Sequence, residues 1–321
     1  MRKVFRMKGR INRISVFMLF LAFSSSWGAG CTCWGAICLP LNRVFRGQDR
    51  FYRLVARAQA EGWRYLPLGD RVVRVGLALC GTPYCHYTLE VDDRIESPSA
   101  NFEGMDCWTF FEISLAFARM LKLKDHDYRP EDLLHLIELE RYRGGHCTGN
   151  YLSRIHFLEE LFADNQARGL LVNLTPSLGG VPIHRHVREM TAGWRQYRYL
   201  RANPSLLPAM AQIEERVSRL PVTYIPKERV REVERELQNG DIIAIVSRDE
   251  GGYTSHVGLA YRDASGVLRF MHASSIYGKV VVDRRISGYL NEHPGTAGIT
   301  VARPKEVPPA LFTLSQPGER L

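Results

Sequence analysis

No run of apolar residues in this chain is long enough to cross a bilayer. The stretch from Ile14 to Phe23 has about half of the ~20 residues that a spanning helix needs, which disfavours an uncleaved anchor as well as a transmembrane domain. Residues 1–30 contain no Asp or Glu but six basic residues, Arg2, Lys3, Arg6, Lys8, Arg10 and Arg13. Removing those six lowers the formal net charge from +9 to +3. The basicity therefore belongs to the leader, and no nucleic-acid partner is expected. Two Cys-x-x-Cys pairs are absent, and His184-Arg185-His186 is an isolated doublet, so neither structural zinc nor any other cofactor is expected. Internal repeats and low-complexity tracts are also missing, which excludes solenoids and biased linkers.

What is present is the balance of an ordinary folded protein: 45% hydrophobic and 24% charged residues in 321, enough for one large domain or two small ones. A basic start, a short apolar run and Ser24-Ser25-Ser26-Trp27-Gly28-Ala29-Gly30 have the layout of a secretory signal peptide over residues 1–30. Export to the periplasm or cell envelope follows. Gly28-Ala29-Gly30-Cys31 loosely resembles a lipoprotein box without the usual large aliphatic residue at Gly28. Membrane association through the leader or a lipidated Cys31 therefore stays open. Seven cysteines (Cys31, Cys33, Cys38, Cys80, Cys85, Cys107 and Cys147) leave at least one thiol outside any set of disulfides.

The chain is organised around Asn101 to Leu121. From Trp108 onward almost every turn is apolar, the mark of a helix in the middle of a core. Asp106 is placed to cap it, so Cys107 falls in the first turn, where free N–H groups and the helix dipole favour a thiolate. The competing reading is a small buried hydrophobe, the usual fate of free cysteine. Downstream, Ser255-His256-Val257-Gly258 and Met271-His272-Ala273-Ser274 put a histidine in each of two strand-like runs. Alternation sets His256, Gly258 and Ala260 on one face of the first run, a face of small residues against which the cysteine helix is expected to pack. Cys107 as nucleophile, His256 as base and His272 as its orienting partner would supply what amide hydrolysis needs. Tyr84, after the Gly81-Thr82-Pro83 turn, is a candidate hydroxyl donor beside them.

Between these motifs the spacing predicts helices over Phe51 to Gly62 and Glu131 to Arg143, the latter with Pro130 at its first turn. It predicts others from Ser153 to Gly169, His186 to Leu200, Leu206 to Leu220 and Lys227 to Gln238. Tyr84 to Val91 is expected to be extended. From Asp241 the period becomes that of strands: Asp241 to Val246, Ser255 to Tyr261, Val267 to Ala273, Lys279 to Asp283 and Gly298 to Ala302. Their short loops favour an antiparallel meander, and the whole is an α+β layout. The expected divisions are a leader (1–30), an N-terminal extension (31–65), a catalytic domain (66–305) with a helical insertion at about 125–240, and a tail (306–321).

Gly81-Thr82-Pro83-Tyr84, Asp106-Cys107-Trp108-Thr109-Phe110-Phe111-Glu112, Ser255-His256-Val257-Gly258 and His272-Ala273-Ser274-Ser275 together resemble the NlpC-type papain-like cell-wall hydrolases. Ser153-Arg154-Ile155-His156 and the ending Ala297 to Pro304 look like the branch first catalogued as a domain of unknown function and later described as N-acetylmuramoyl-L-alanine amidase-like. This resemblance implies a papain-like α+β core and a Cys107-His256-His272 triad. It also implies hydrolysis of the amide between muramic acid and L-alanine in peptidoglycan or muropeptides. By position it makes Tyr84, Glu112 and Arg154 substrate-binding residues. Trp108 departs from the pattern, which has a small residue after the cysteine. A stem-peptide endopeptidase and a non-catalytic wall-binding protein are the alternatives.

Overall fold

The computed structural model describes residues 39–315, so the leader and Cys31, Cys33 and Cys38 lie outside the described residues. Among the described residues, the longer helices of the first half are α1 (Gln48–Ala60), α2 (Leu68–Leu79), α3 (Cys107–Leu123), α4 (Pro130–Arg141) and α5 (Leu158–Ala167). Two more, α6 (Leu207–Ser218) and α7 (Ile286–Glu292), follow. Strands β1 (Phe45–Arg46) and β2 (Ala100–Asn101) form a small parallel pair. The main sheet holds β3 (Leu171–Asn173), β4 (Val181–Pro182), β5 (Thr223–Pro226), β6 (Ile242–Ser247), β7 (Thr254–Arg262), β8 (Leu268–Ser274), β9 (Lys279–Arg285) and β10 (Thr296–Pro304).

Strands β6 to β9 form the expected antiparallel meander, and β10 returns beside β6. The far edge of β10 takes β5 at Gly298 and Ile299 and β3 at Ala302 to Pro304, while β4 pairs β5. The stretch at 125–240 is thus no purely helical insertion: it donates three strands to the sheet. Those strands are two to four residues long and two contain proline, too short to leave a period of two in the sequence. The expected helix over His186 to Leu200 is broken into Glu189–Ala192, a 3₁₀ turn and Arg198–Ala202 around Gly193. Tyr84 to Val91 is mostly turn rather than strand.

One face of the sheet, through Ile242, Ala244, Val257, Leu259, Met271 and Ala273, packs on α1, α2 and α3 to make the principal core. Phe45, Phe51, Phe102 and Phe117 interlock there with ring centroids 5.5–6.5 Å apart, so the stretch from Leu39 to Tyr65 shares the core of the later chain. The opposite face, through Ile243, Ile245, Ala260 and Phe270, is covered by α7 and by Val230, Val233 and Leu237.

Helix α3 starts where the sequence places it. The Asp106 carboxylate accepts the Thr109 N–H at 2.8 Å, and the Thr109 hydroxyl accepts the Asp106 N–H at 3.1 Å, a reciprocal cap. Two charges are buried along its length, and α4 answers both: Glu112 pairs with Arg141 and Arg119 with Glu140. This crossed pattern fixes how α3 and α4 register, because either slip would strand a charge out of water.

Candidate active site

Cys107, Trp108, Glu159, Glu189, Ser255 and His256 line one cleft of about 150 Å³. Cys107 reaches it from the first turn of α3. The backbone N–H groups of Val257, Trp108 and Cys107 point at its sulfur, yet burial, seconded by the Asp106 charge, pushes the thiol up to about 12. A helix start therefore does not by itself make this cysteine a thiolate; desolvation outweighs the N–H groups.

His256 comes from β7. Ile245 opposes His256 but Val246 opposes Thr254, so Ser255 is the extra residue of a β-bulge at the start of the strand. Against expectation, α3 packs on the Val257 and Leu259 face, not on the face of His256, Gly258 and Ala260. The small residues serve another purpose. A Cβ on Gly258 would lie 2.7 Å from the Phe270 ring and 2.9 Å from His272 Cβ, so glycine here admits the second histidine. Cys107 and His256 line the same cleft because the start of α3 lies against the bulged start of β7, where Val257 N–H faces Sγ.

His256 Nε2 lies 2.7 Å from His272 Nδ1, and His272 Nε2 lies 3.4 Å from Asp283 Oδ2. This order assigns the tautomers. Asp283, held down to about 2 by its bond to His272 and further by Arg284, is ionised and can only accept. His272 therefore carries its proton on Nε2, accepts at Nδ1, and receives the Nε2–H of His256. That leaves Nδ1 of His256 as the free basic nitrogen. Burial, with the neighbouring His272 and His293, lowers His256 to about 3, and burial also lowers His272, so both rings are neutral at pH 7. Phe270 stacks on His272 at 4.6 Å, and Tyr289 lies nearly parallel to His256 at 6.1 Å.

The other expected site residues divide. Tyr84 sits beside the thiol: burial, then the neighbouring Cys107 and Asp106 side chains, push its hydroxyl up to about 12. Its backbone is fixed by a 2.9 Å bond to Gly278 O and by bridging to Met105. Glu112 has 0% exposure and no surface to offer a ligand. Its carboxylate is forked by Arg141 at 2.8 and 3.0 Å and accepts the Trp108 indole N–H at 2.7 Å. It therefore touches the cleft only through Trp108, whose ring it holds against the wall. Arg154, 3% exposed, stacks over Tyr151 at 4.7 Å and faces Glu90 and Glu96 at 3.6 and 3.9 Å, an internal ion cluster outside the cleft lining. Helix α5 starts at Leu158, not at Ser153, which lies in a separate 3₁₀ turn. Cys80, Cys85, Cys107 and Cys147 are all free thiols.

A family model described as N-acetylmuramoyl-L-alanine amidase-like matches residues 74–299. The chain belongs to this family. An N-acetylmuramoyl-L-alanine amidase from Bacteroides uniformis is similar to it at 28% identity and TM-score 0.68, over 74% of this chain and 99% of that one. A Bacteroides fragilis protein, provisionally described as a xylanase, shares 31% identity at TM-score 0.63, over 72% of this chain and 99% of its own. A Legionella pneumophila protein described with the family model DUF1460 shares the fold, at 21% identity and TM-score 0.60, over 81% and 96% of the two chains. No curated protein matches. The family span contains Tyr84, Cys107, Glu112, Arg154, Glu159, His256, His272 and Asp283.

Asp283 and Glu159 were not singled out in the sequence. The signal for Asp283 was faint: an acid ending the Val280-Val281-Val282 run of β9. It shares a face with His272 only through the pairing of His272 with Val281.

The low pKa of His256 has a consequence for stability in this amidase-like chain. Its folded value, about 3, lies below the ordinary 6.5, so between those values the unfolded chain binds the extra proton. The contribution of His256 is thus complete above pH 6.5 and lost as pH falls towards 3. Glu159, raised to about 7 by burial, titrates in the opposite sense over part of that window. The informative quantity is therefore the difference between two curves. Denaturant midpoints measured from pH 7 to 4.5 should fall less in His256→Asn than in the unaltered protein. Parallel curves would mean that His256 titrates like an exposed imidazole.

Proposed function

We propose that this chain is a cysteine amidase that hydrolyses the amide joining the muramic lactyl group to L-alanine in peptidoglycan or its muropeptides. The observation that carries the reading is the hydrogen-bonded line His256–His272–Asp283 ending in the cleft that Cys107 lines. A capped helix bearing the cysteine, packed on an antiparallel sheet bearing the histidines, is also the arrangement expected of papain-like enzymes. The family membership and the Bacteroides uniformis amidase support the substrate class.

The chemistry runs from a neutral pair. As Sγ bonds to the carbonyl carbon, its proton passes to His256 Nδ1, and His272 with Asp283 stabilises the imidazolium that forms. Negative charge gathers on the carbonyl oxygen, for which the helix-start N–H groups and the Tyr84 hydroxyl are the donors at hand. Collapse breaks the C–N bond, His256 returns its proton to the departing amine, and a thioester remains. Water, deprotonated by His256, then releases the acid and restores the thiol.

Mass spectrometry of products from defined muropeptides tests this. Free sugar plus an intact stem peptide is the expected result, whereas fragments cut inside the stem would make the chain an endopeptidase. The cleft also holds two carboxyls, Glu159 and Glu189, as a glycosidase would require; cleavage between sugars would favour that reading. The histidine line has no part in such chemistry. Asp283→Asn should lower kcat by roughly 10- to 100-fold, less than the ~10⁴ lost when the replaced carboxylate touches the base itself. Stopped assays on one muropeptide would measure it, and an unchanged kcat would remove Asp283 from the mechanism.

A further inference from the structure

Arg50, Arg53 and Arg57 stand at i, i+3 and i+7 on α1, so one helix face carries all three, and all three are exposed. They line a pocket of about 390 Å³ whose wall also includes Phe102, the end of α2 at Leu79 and Thr82 in the turn that follows it. Among the described residues no Asp or Glu lines this pocket. Arginines along a helix ordinarily make a solvated face. Here the surroundings ask for more. Arg50 Nη1 donates to Phe102 O at 2.9 Å, which fixes its guanidinium at the wall and leaves most of its donors spare. Arg53 has no hydrogen-bond or ion-pair partner among the described residues. Arg57, by contrast, is engaged, bonded to Glu61 at 2.8 Å and lying over the Trp63 ring. Thr82 decides the matter. It is only 6% exposed, and its hydroxyl makes no hydrogen bond among the described residues, yet that oxygen is not one of the unpaired atoms closed to solvent. The carbonyls that end α2 are already taken, Leu77 O by Cys80 N–H at 3.2 Å and Leu79 O by Thr82 N–H at 3.1 Å. The hydroxyl is therefore open to whatever enters the pocket, and an open polar group on a buried residue asks for a reason.

We propose that this pocket is an oxyanion-binding site, in which Arg50, Arg53 and the Thr82 hydroxyl hold the phosphate or carboxylate group of a ligand. All three offer donors, and an anion rich in acceptors can use them together. None of the pocket's lining residues lines the cleft of Cys107, so the site does not depend on how that cleft is read.

Calorimetric titration with inorganic phosphate and, separately, with succinate, at matched ionic strength, tests this. The unaltered protein should bind at least one of them. Arg53→Gln should weaken that binding by about tenfold or more, since a hydrogen bond to a charged group is worth at least that factor. Thr82→Val is the discriminating variant, because it keeps the shape of the side chain and the charge of the protein. It should weaken binding several-fold, a loss that long-range attraction to a basic surface would not produce. Without ligand its melting temperature should be equal or higher, because the hydroxyl gives up no bond inside the protein. Cys107→Ala should bind as the unaltered protein does. Phosphate binding alone would mark a phosphorylated ligand, succinate binding alone a carboxylate, and binding of both a site for either group; each supports the proposal. No binding of either anion at millimolar concentration would overturn it. So would equal binding by Arg53→Gln or by Thr82→Val. A lower melting temperature in Thr82→Val would give the hydroxyl a structural partner and overturn its role as a donor to the ligand.

Discussion

Cys107→Ala is expected to lower kcat on a muropeptide by at least about 10⁴-fold while leaving the protein folded. The size of the effect follows from the mechanism: without Sγ there is no acyl acceptor, and the histidine line has no proton to take. His256→Ala should cost nearly as much, and the double variant little more than either alone, because residues that act as one unit are not additive. Stability should barely move. Cys107 is only partly buried at the helix start, and the cap that holds the helix is made by Asp106 and Thr109, not by the thiol. Progress curves with a fixed enzyme concentration, paired with circular dichroism melts, separate the two readouts. EDTA should have no effect on the unaltered enzyme. Activity within tenfold of the unaltered enzyme in a folded Cys107→Ala would end the cysteine mechanism, and would direct attention to the carboxyls of the same cleft.

The parts of this molecule that could be read from its sequence are those whose cause is local. Helix α3 announces itself through Asp106-x-x-Thr109 and a continuous apolar run, and the meander through Val- and Ile-rich stretches between Gly-containing turns. What could not be read depends on distant partners. Alternation told which residues of β7 share a face but not which face α3 covers, and the bulge at Ser255 interrupts the count just before His256. Strands of two to four residues, such as β3, β4 and β5, have no period to detect; only their pairing to β10 or to one another makes them strands. Glu112 and Arg154 fit their motif positions, but their partners lie 29 and about 60 residues away, and those partners turn both into internal ion pairs. Asp283 needed the register of β8 with β9, which a bulge between Arg269 and Met271 shifts.

The largest loss of stability should come from Arg141→Met. Arg141 and Glu112 have no exposed surface, and the guanidinium also donates to Ser99 Oγ and O at 3.1 and 3.0 Å. Removing it leaves the Glu112 carboxylate buried with the Trp108 indole as its remaining hydrogen-bond donor. An uncompensated buried charge of this kind costs about 3–5 kcal/mol, which for a domain of this size lowers the melting temperature by roughly 10 °C. Glu112→Leu combined with Arg141→Met should recover most of that loss, because replacing both partners of a buried pair by apolar residues is often neutral. The double variant then isolates the second role of Glu112. Its fold is restored but the Trp108 ring has lost its acceptor, and that ring is a wall of the cleft. If Glu112 acts on substrate through Trp108, the double variant melts near the unaltered protein yet binds muropeptide several-fold more weakly. Recovery of both stability and KM would mean that Trp108 is held by packing alone, and that Glu112 matters only to the fold.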